Sequence, residues 1–313
     1  MTPKVPSSAD VEAAAFRLGS SIRRTPVLEL DLREHGVESH VHLKLELTQH
    51  TGSFKARGAL NSVLSLPKDV TGVCAASGGN HAAAVSWAAR RAGLVADVFV
   101  PAEATPAKLD RIRSYGGRIH AVDGHVKEAL EACRAYSEEA GVPLLHPYDT
   151  FETVSGAGTT GLEIEEQVPD VDLVLVGCGG GGLYSGLAIS LEGIARVQPV
   201  EPELCPDLAC ALAERGPVPV AVGGLAADSL GAPYIGDIAY AVASKHAVEP
   251  VLIPEASILA ARMLLWESTR VLAEPGACVA LGSVLTGAVR VDPGQPVVVV
   301  VSGGNNETFP TVP

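Results

Sequence analysis

Short apolar, β-branched blocks alternate along this chain with longer stretches in which alanine and leucine recur at helical spacing. The blocks predict strands at Gly72–Ala76, Val95–Val100, Arg118–Val122, Val142–Leu145 and Asp172–Val176. The stretches between them predict helices, among them Ala82–Ala92 and Leu183–Ile194. Val297–Val301 is a run of five valines. Such a run suits a strand buried on both faces in the middle of a parallel sheet. Ahead of the first block, Ser53 reads as an N-cap, Phe54 and Lys55 as a first turn, and Ala56–Leu66 as a helix that Pro67 stops. The alternation predicts an α/β protein of two open, twisted lobes with mostly parallel sheets. Residues 72–147 form the small domain; residues 1–71 and 148–313 form the larger one. A ligand is expected in the cleft between them.

Composition narrows the function. With 313 residues and 47% apolar content the chain can bury a core large enough to split into two lobes. A net charge of -13 disfavours nucleic acid and anionic membrane surfaces as partners. The six cysteines, at 74, 133, 178, 205, 210 and 278, show no disulfide framework. Together with the absence of a signal-peptide core after Met1 and of any membrane-spanning apolar stretch, this predicts a cytoplasmic enzyme. His40 and His42 read as strand or surface histidines rather than metal ligands.

Lys55 carries the most chemical information. A lysine in the first turn of a helix faces the positive end of the macrodipole, so its neutral amine is favoured and can form a Schiff base with an aldehyde. Gly179, Gly180, Gly181 and Gly182 lie between a strand and a helix, where converging backbone N–H groups can cradle a phosphate. Gly177, Gly179 and Gly182 also satisfy the dinucleotide spacing G-x-G-x-x-G. Only Glu192 and Glu201 offer a loosely placed acid downstream, so a single phosphate fits better. Ser77-Gly78-Gly79-Asn80-His81 begins another helix and can receive a carboxylate or a phenolate oxygen. Ser302-Gly303-Gly304-Asn305 follows the valine strand, at the sheet end where α/β proteins bind ligands.

Ser53-Phe54-Lys55, Ser77 to His81, Gly179 to Leu183, Glu274-Pro275-Gly276-Ala277 and Ser302 to Asn305 together resemble the motif set of serine/threonine dehydratases and serine racemases. These are fold type II, tryptophan synthase β-like, pyridoxal-phosphate enzymes. The resemblance runs from Arg24 to Asn305. It implies pyridoxal 5'-phosphate held covalently by Lys55 beside Phe54, with Asn80 at the ring's phenolic oxygen. Gly179, Gly180, Gly181, Gly182 and Leu183 would bind the phosphate, and Ser302 would face the pyridine nitrogen. A hydroxyl there leaves the ring a weaker electron sink, which favours elimination over transamination. Ser77, Gly79, Asn80 and His81 would hold the substrate carboxylate. The implied reaction is α,β-elimination from an L-hydroxyamino acid such as L-threonine or L-serine, giving a 2-oxo acid and ammonia. A homodimer is also implied.

The chain departs from that family's pattern at three places. Gly78 stands where serine racemases carry a second serine, Ser229 where glycine is usual, and Ala157 where glutamine is usual. The first disfavours racemisation. The second points towards hydroxyaspartate or another hydroxylated amino acid. Glu201, Cys205 and Asp207 resemble the divalent-cation site of the same enzymes, with two carboxylates and the Cys205 carbonyl suiting Mg²⁺, Ca²⁺ or Mn²⁺. A cysteine-synthase-like β-replacement enzyme and a non-catalytic phosphate-binding protein remain the alternative readings.

Overall fold

The structure, a computed structural model, describes residues 3–306. Its strands are β1 (Val27–Asp31), β2 (His40–Leu45), β3 (Gly72–Ala76), β4 (Val95–Pro101), β5 (Arg118–Val122), β6 (Leu173–Gly177), β7 (Arg196–Pro202), β8 (Val251–Ile253) and β9 (Val297–Val301). Six of them form one sheet in the order β1-β2-β9-β6-β7-β8, and three form a second in the order β3-β4-β5. All neighbours are parallel except β1 and β2.

β9 occupies the middle of the large sheet, and the alternation of a strand divides its five valines between two cores. Val297, Val299 and Val301 join Leu173, Leu175 and helices Glu255–Thr269 and Pro275–Leu285 on one face. Val298 and Val300 join Val174, Val176 and helices Phe151–Gln167, Gly182–Ser190 and Asp237–Lys245 on the other. The small sheet is covered in the same way. Val73, Ala75, Val98 and Val100 face helix Asn80–Arg91, while Cys74 and Phe99 face helix Val126–Ala140.

Helix Lys55–Leu64 packs against Phe151–Gln167 at close range, because Gly156 has no side chain: a Cβ there would lie 2.8 Å from the Arg57 carbonyl and from Gly58 Cα. The same helix is tied down by a buried ionic cluster. Arg57 donates to Glu46 at 2.8 and 2.7 Å and to Glu163 at 2.7 Å, and Lys44 donates to Glu163 at 2.5 Å. Desolvation consumes much of the attraction in such a cluster, so its main effect is to fix register.

Several boundaries differ from the sequence expectation. Val142–Leu145 is not a strand: Leu144 makes one isolated bridge to Cys74, and Pro143, lacking an N–H, cannot extend the ladder. Ser53 is not an N-cap. It is extended, at φ -161, and bridges Gly303, so that Phe54 takes the capping position. The helix after it ends at Leu64, before Pro67, and the helix after the glycines spans Gly182–Ser190 rather than Leu183–Ile194. No helix among the described residues is long and apolar enough to cross a membrane.

Candidate active site

The approach to Lys55 is built by pairing residues distant in sequence. Thr51 (φ 65) and Gly52 (φ 77) turn the chain sharply, and the residues after β9 zip onto that turn. Phe54 N donates to Ser302 O at 3.0 Å, Gly304 N to Gly52 O at 2.9 Å, and Asn305 Nδ2 to Thr51 O at 2.8 Å. Lys55 then starts its helix beside Ser302, which is buried.

Lys55 Nζ donates to Pro147 O at 2.7 Å and lies 5.0 Å from the Phe54 ring centroid. Burial lowers its pKa to about 8, and the negative charge of Glu274 partly opposes the shift. Desolvation therefore favours the neutral amine. Glu274 is itself pushed up to about 6 by burial, against the hydrogen bond from Asn80. Asn80 joins the two ends of the site: its Nδ2 donates to Glu274 at 2.8 Å and its Oδ1 accepts from Asn305 at 2.6 Å.

The glycine turn stands next to this lysine. Lys55, Phe54, Ala157 and Gly182 line one narrow crevice, and Lys55 and Gly180 share the larger cavity of about 340 Å³. Gly181 has φ +82, and a Cβ on Gly179 would lie 2.5 Å from the Leu230 carbonyl, so the turn accepts no side chain at either position. Among the described residues the N–H groups of Gly179 to Leu183 have no acceptor. These donors fit a phosphate group.

Ser77, Gly78, Gly79, Asn80 and His81 line the opposite side of the same cavity. Ser77 Oγ accepts from Gly79 N at 3.2 Å, and the N–H groups of Asn80, His81 and Ala82 at the start of the helix have no acceptor among the described residues. That arrangement can receive a carboxylate. His81 is not free to act as an acid: its Nε2 donates to Leu145 O at 2.9 Å, and burial with the nearby Lys55 charge lowers its pKa to about 3. Burial likewise lowers His146 to about 4.

Four contributors have no assigned role in the sequence reading. Tyr148 lays its ring on Gly180, and burial pushes its phenol up. Glu274 holds Asn80. Lys108 pairs with Asp228 at the cavity's edge. Tyr148 lies in a segment without hydrophobic period, so only its neighbourhood to Pro147 could have marked it.

Glu201, Cys205 and Asp207 lie elsewhere. Glu201 caps the following helix, accepting from Leu208 N at 2.7 Å and Ala209 N at 3.0 Å, and the Cys205 thiol donates to Gly223 O at 3.2 Å. Among the described residues no three His, Cys, Asp or Glu side chains gather as a metal-ligand set. Both Asp207 carboxylate oxygens are nevertheless buried without a donor.

Comparison with known proteins agrees with this geometry. Rice (Oryza sativa subsp. indica) serine racemase is 31% identical over 304 residues, 94% of this chain and 89% of that protein. The beta-hydroxyaspartate dehydratase of Paracoccus denitrificans is 33% identical over 96% of each chain. The crystal structure of the T.th. threonine deaminase superposes with a TM-score of 0.90 at 33% identity, covering 97% of this chain and 100% of that one. The family model described as pyridoxal-phosphate dependent enzyme matches residues 18–303, and with a buried lysine, a glycine turn that accepts no side chains and a mostly parallel-sheet scaffold beside it, the chain belongs to that family, as a fold type II α/β enzyme.

Proposed function

We propose that this enzyme is a dehydratase that converts an L-hydroxyamino acid to a 2-oxo acid and ammonia by α,β-elimination. The observation that carries the reading is the buried Lys55 amine, depressed to about 8, in one cavity with the glycine turn and the Ser77–His81 helix start. Bound there, pyridoxal phosphate supplies an aldehyde for Lys55 and a conjugated ring that draws electrons from the substrate's Cα. The N–H groups of Gly179 to Leu183 would hold the phosphate, Asn80 would orient the ring through its phenolic oxygen, and the Ser302 hydroxyl would face the ring nitrogen. The helix start at Ser77, Gly79, Asn80 and His81 holds the substrate α-carboxylate. With that group bound, Lys55 Nζ would take the Cα proton, the β-hydroxyl would leave as water after gaining a proton, and one water would hydrolyse the released enamine to the 2-oxo acid and ammonia. L-Threonine would yield 2-oxobutanoate and L-serine pyruvate.

Gly78 offers no side chain to move a proton on the face opposite Lys55, so racemisation is left out of the reading. A divalent cation is retained at Asp207 and Glu201 with the Cys205 carbonyl, supported by the unmatched Asp207 oxygens. Millimolar Mg²⁺, Ca²⁺ or Mn²⁺ should then raise Tm in the wild type and not in Asp207→Asn. Six free cysteines support a reducing, cytoplasmic setting. The deciding assay follows ammonia and 2-oxo acid from a panel of hydroxyamino acids, alongside D-serine formation and sulfide incorporation into O-acetylserine. Ammonia release supports the reading; sulfide incorporation or racemisation alone would replace it.

A further inference from the structure

The proposed elimination leaves the substrate's side chain open, and the far wall of the cavity bears on it. That wall includes Lys108, on helix Pro106–Ser114 beside the small sheet, and Asp228 and Ser229, on the short helix Ala227–Leu230 beside the large one. Lys108 pairs with Asp228. The Lys108 side chain is only 19% exposed, whereas that of Asp228 is 64% exposed. The cation is thus held against the cavity, and its present partner sits at the surface.

The other ionisable groups lining the cavity are already committed. Glu103 accepts from His125 Nδ1 at 2.8 Å, and both of those side chains are largely exposed. His81 and His146 are neutral near pH 7. Once Lys55 is joined to the cofactor, Lys108 is the one cationic side chain left among the described residues that line the cavity. Ser229 lines the same wall, and its hydroxyl has no hydrogen-bond partner among the described residues.

Resting on the dehydratase reading, we propose that the cleft selects hydroxyamino acids carrying a second carboxylate, the 3-hydroxyaspartate class. Lys108 and the Ser229 hydroxyl receive that carboxylate in place of Asp228. The exchange swaps one anion for another at the same cation, and the displaced Asp228 turns into solvent, so no charge is left buried and alone. A neutral side chain gains nothing from Lys108, whose pair with Asp228 then stays closed.

The test uses the holoenzyme with 3-hydroxyaspartate, L-serine, L-threonine and phenylserine, comparing the wild type with Lys108→Gln and Ser229→Gly. In the wild type kcat/KM should be highest for 3-hydroxyaspartate. Its ratio over L-serine should fall by about tenfold or more in Lys108→Gln, as for loss of a charge-assisted hydrogen bond, and by about threefold in Ser229→Gly. Ser229→Gly removes only a hydroxymethyl group and carries the test alone should Lys108→Gln lose its cofactor. Unchanged ratios, or better turnover of L-serine or phenylserine than of 3-hydroxyaspartate, overturn the proposal while sparing the dehydratase reading. Ammonia from none of the four substrates, with cofactor bound, overturns that reading itself.

Discussion

The protein contains two helix starts facing one cavity, and they solve the same electrostatic problem differently. At Gly179–Leu183 the donors are backbone N–H groups alone, and Leu230, Tyr148 and Ala239 pack where side chains would stand. At Ser77–His81 side chains take part: Ser77 closes on Gly79 N, Asn80 reaches Glu274, and His81 is anchored on Leu145. A turn walled in by packing has one shape and suits a permanently held anion. A turn whose Asn80 side chain answers to Glu274, 194 positions away, can discriminate among transient ones. The first should therefore govern cofactor retention, and the second KM.

Lys55→Ala strikes the group both turns serve and should have the largest effect. Turnover should fall by at least about 10³-fold, and the borohydride-sensitive absorbance at about 410 nm should vanish. Retained turnover would sink the assignment. Gly179→Ala comes next, since its Cβ meets the Leu230 backbone rather than a yielding side chain. It should release cofactor on gel filtration and cost about 1–3 kcal/mol in denaturant unfolding. Ser77→Ala should keep the cofactor and raise substrate KM by about threefold to tenfold, as for loss of one hydrogen-bonding group. Equal loss of cofactor in the Gly179 and Ser77 variants would erase the contrast between the turns.

The smallest effect concerns the cofactor-free protein. Lys55 has a folded pKa of about 8 against an ordinary 10.5, so between those values the unfolded chain binds more protons than the folded one. Stability from this group therefore rises with pH across that window, and below about pH 8 the full penalty of burying the ammonium is present. Lys55→Met should stabilise the apoprotein at pH 7 by up to about 3 kcal/mol. The advantage should shrink as pH climbs above 8, measured by urea unfolding at several pH values. A pH-independent difference would mean that the amine is not held in a desolvated site.

What can be read in the sequence is what local chemistry dictates. Val297–Val301 and Gly72–Ala76 match their strands because an uninterrupted apolar block leaves little choice. The β1–β2 pair is not legible there, because in His40–Leu45 the pattern mixes histidine and lysine with apolar residues, and Lys44 is buried through its bonds to Glu163, Gln167 and the Thr25 carbonyl. Val142–Leu145 has the composition of a strand and fails on one missing N–H at Pro143. In the site, Lys55 and the glycine turn carry their own signatures. The Asn80–Glu274 contact spans 194 positions, and the Lys108–Asp228 pair 120, so no local pattern encodes either.

β9 is the last strand of its sheet to be synthesised, yet it inserts between β2 and β6. Until it emerges, the earlier strands of that sheet form two separate halves, and the turn before Lys55 lacks the segment that closes it. The holding of a nascent chain in this open condition should fall to chaperones, and loading of the cofactor should be among the final events of maturation.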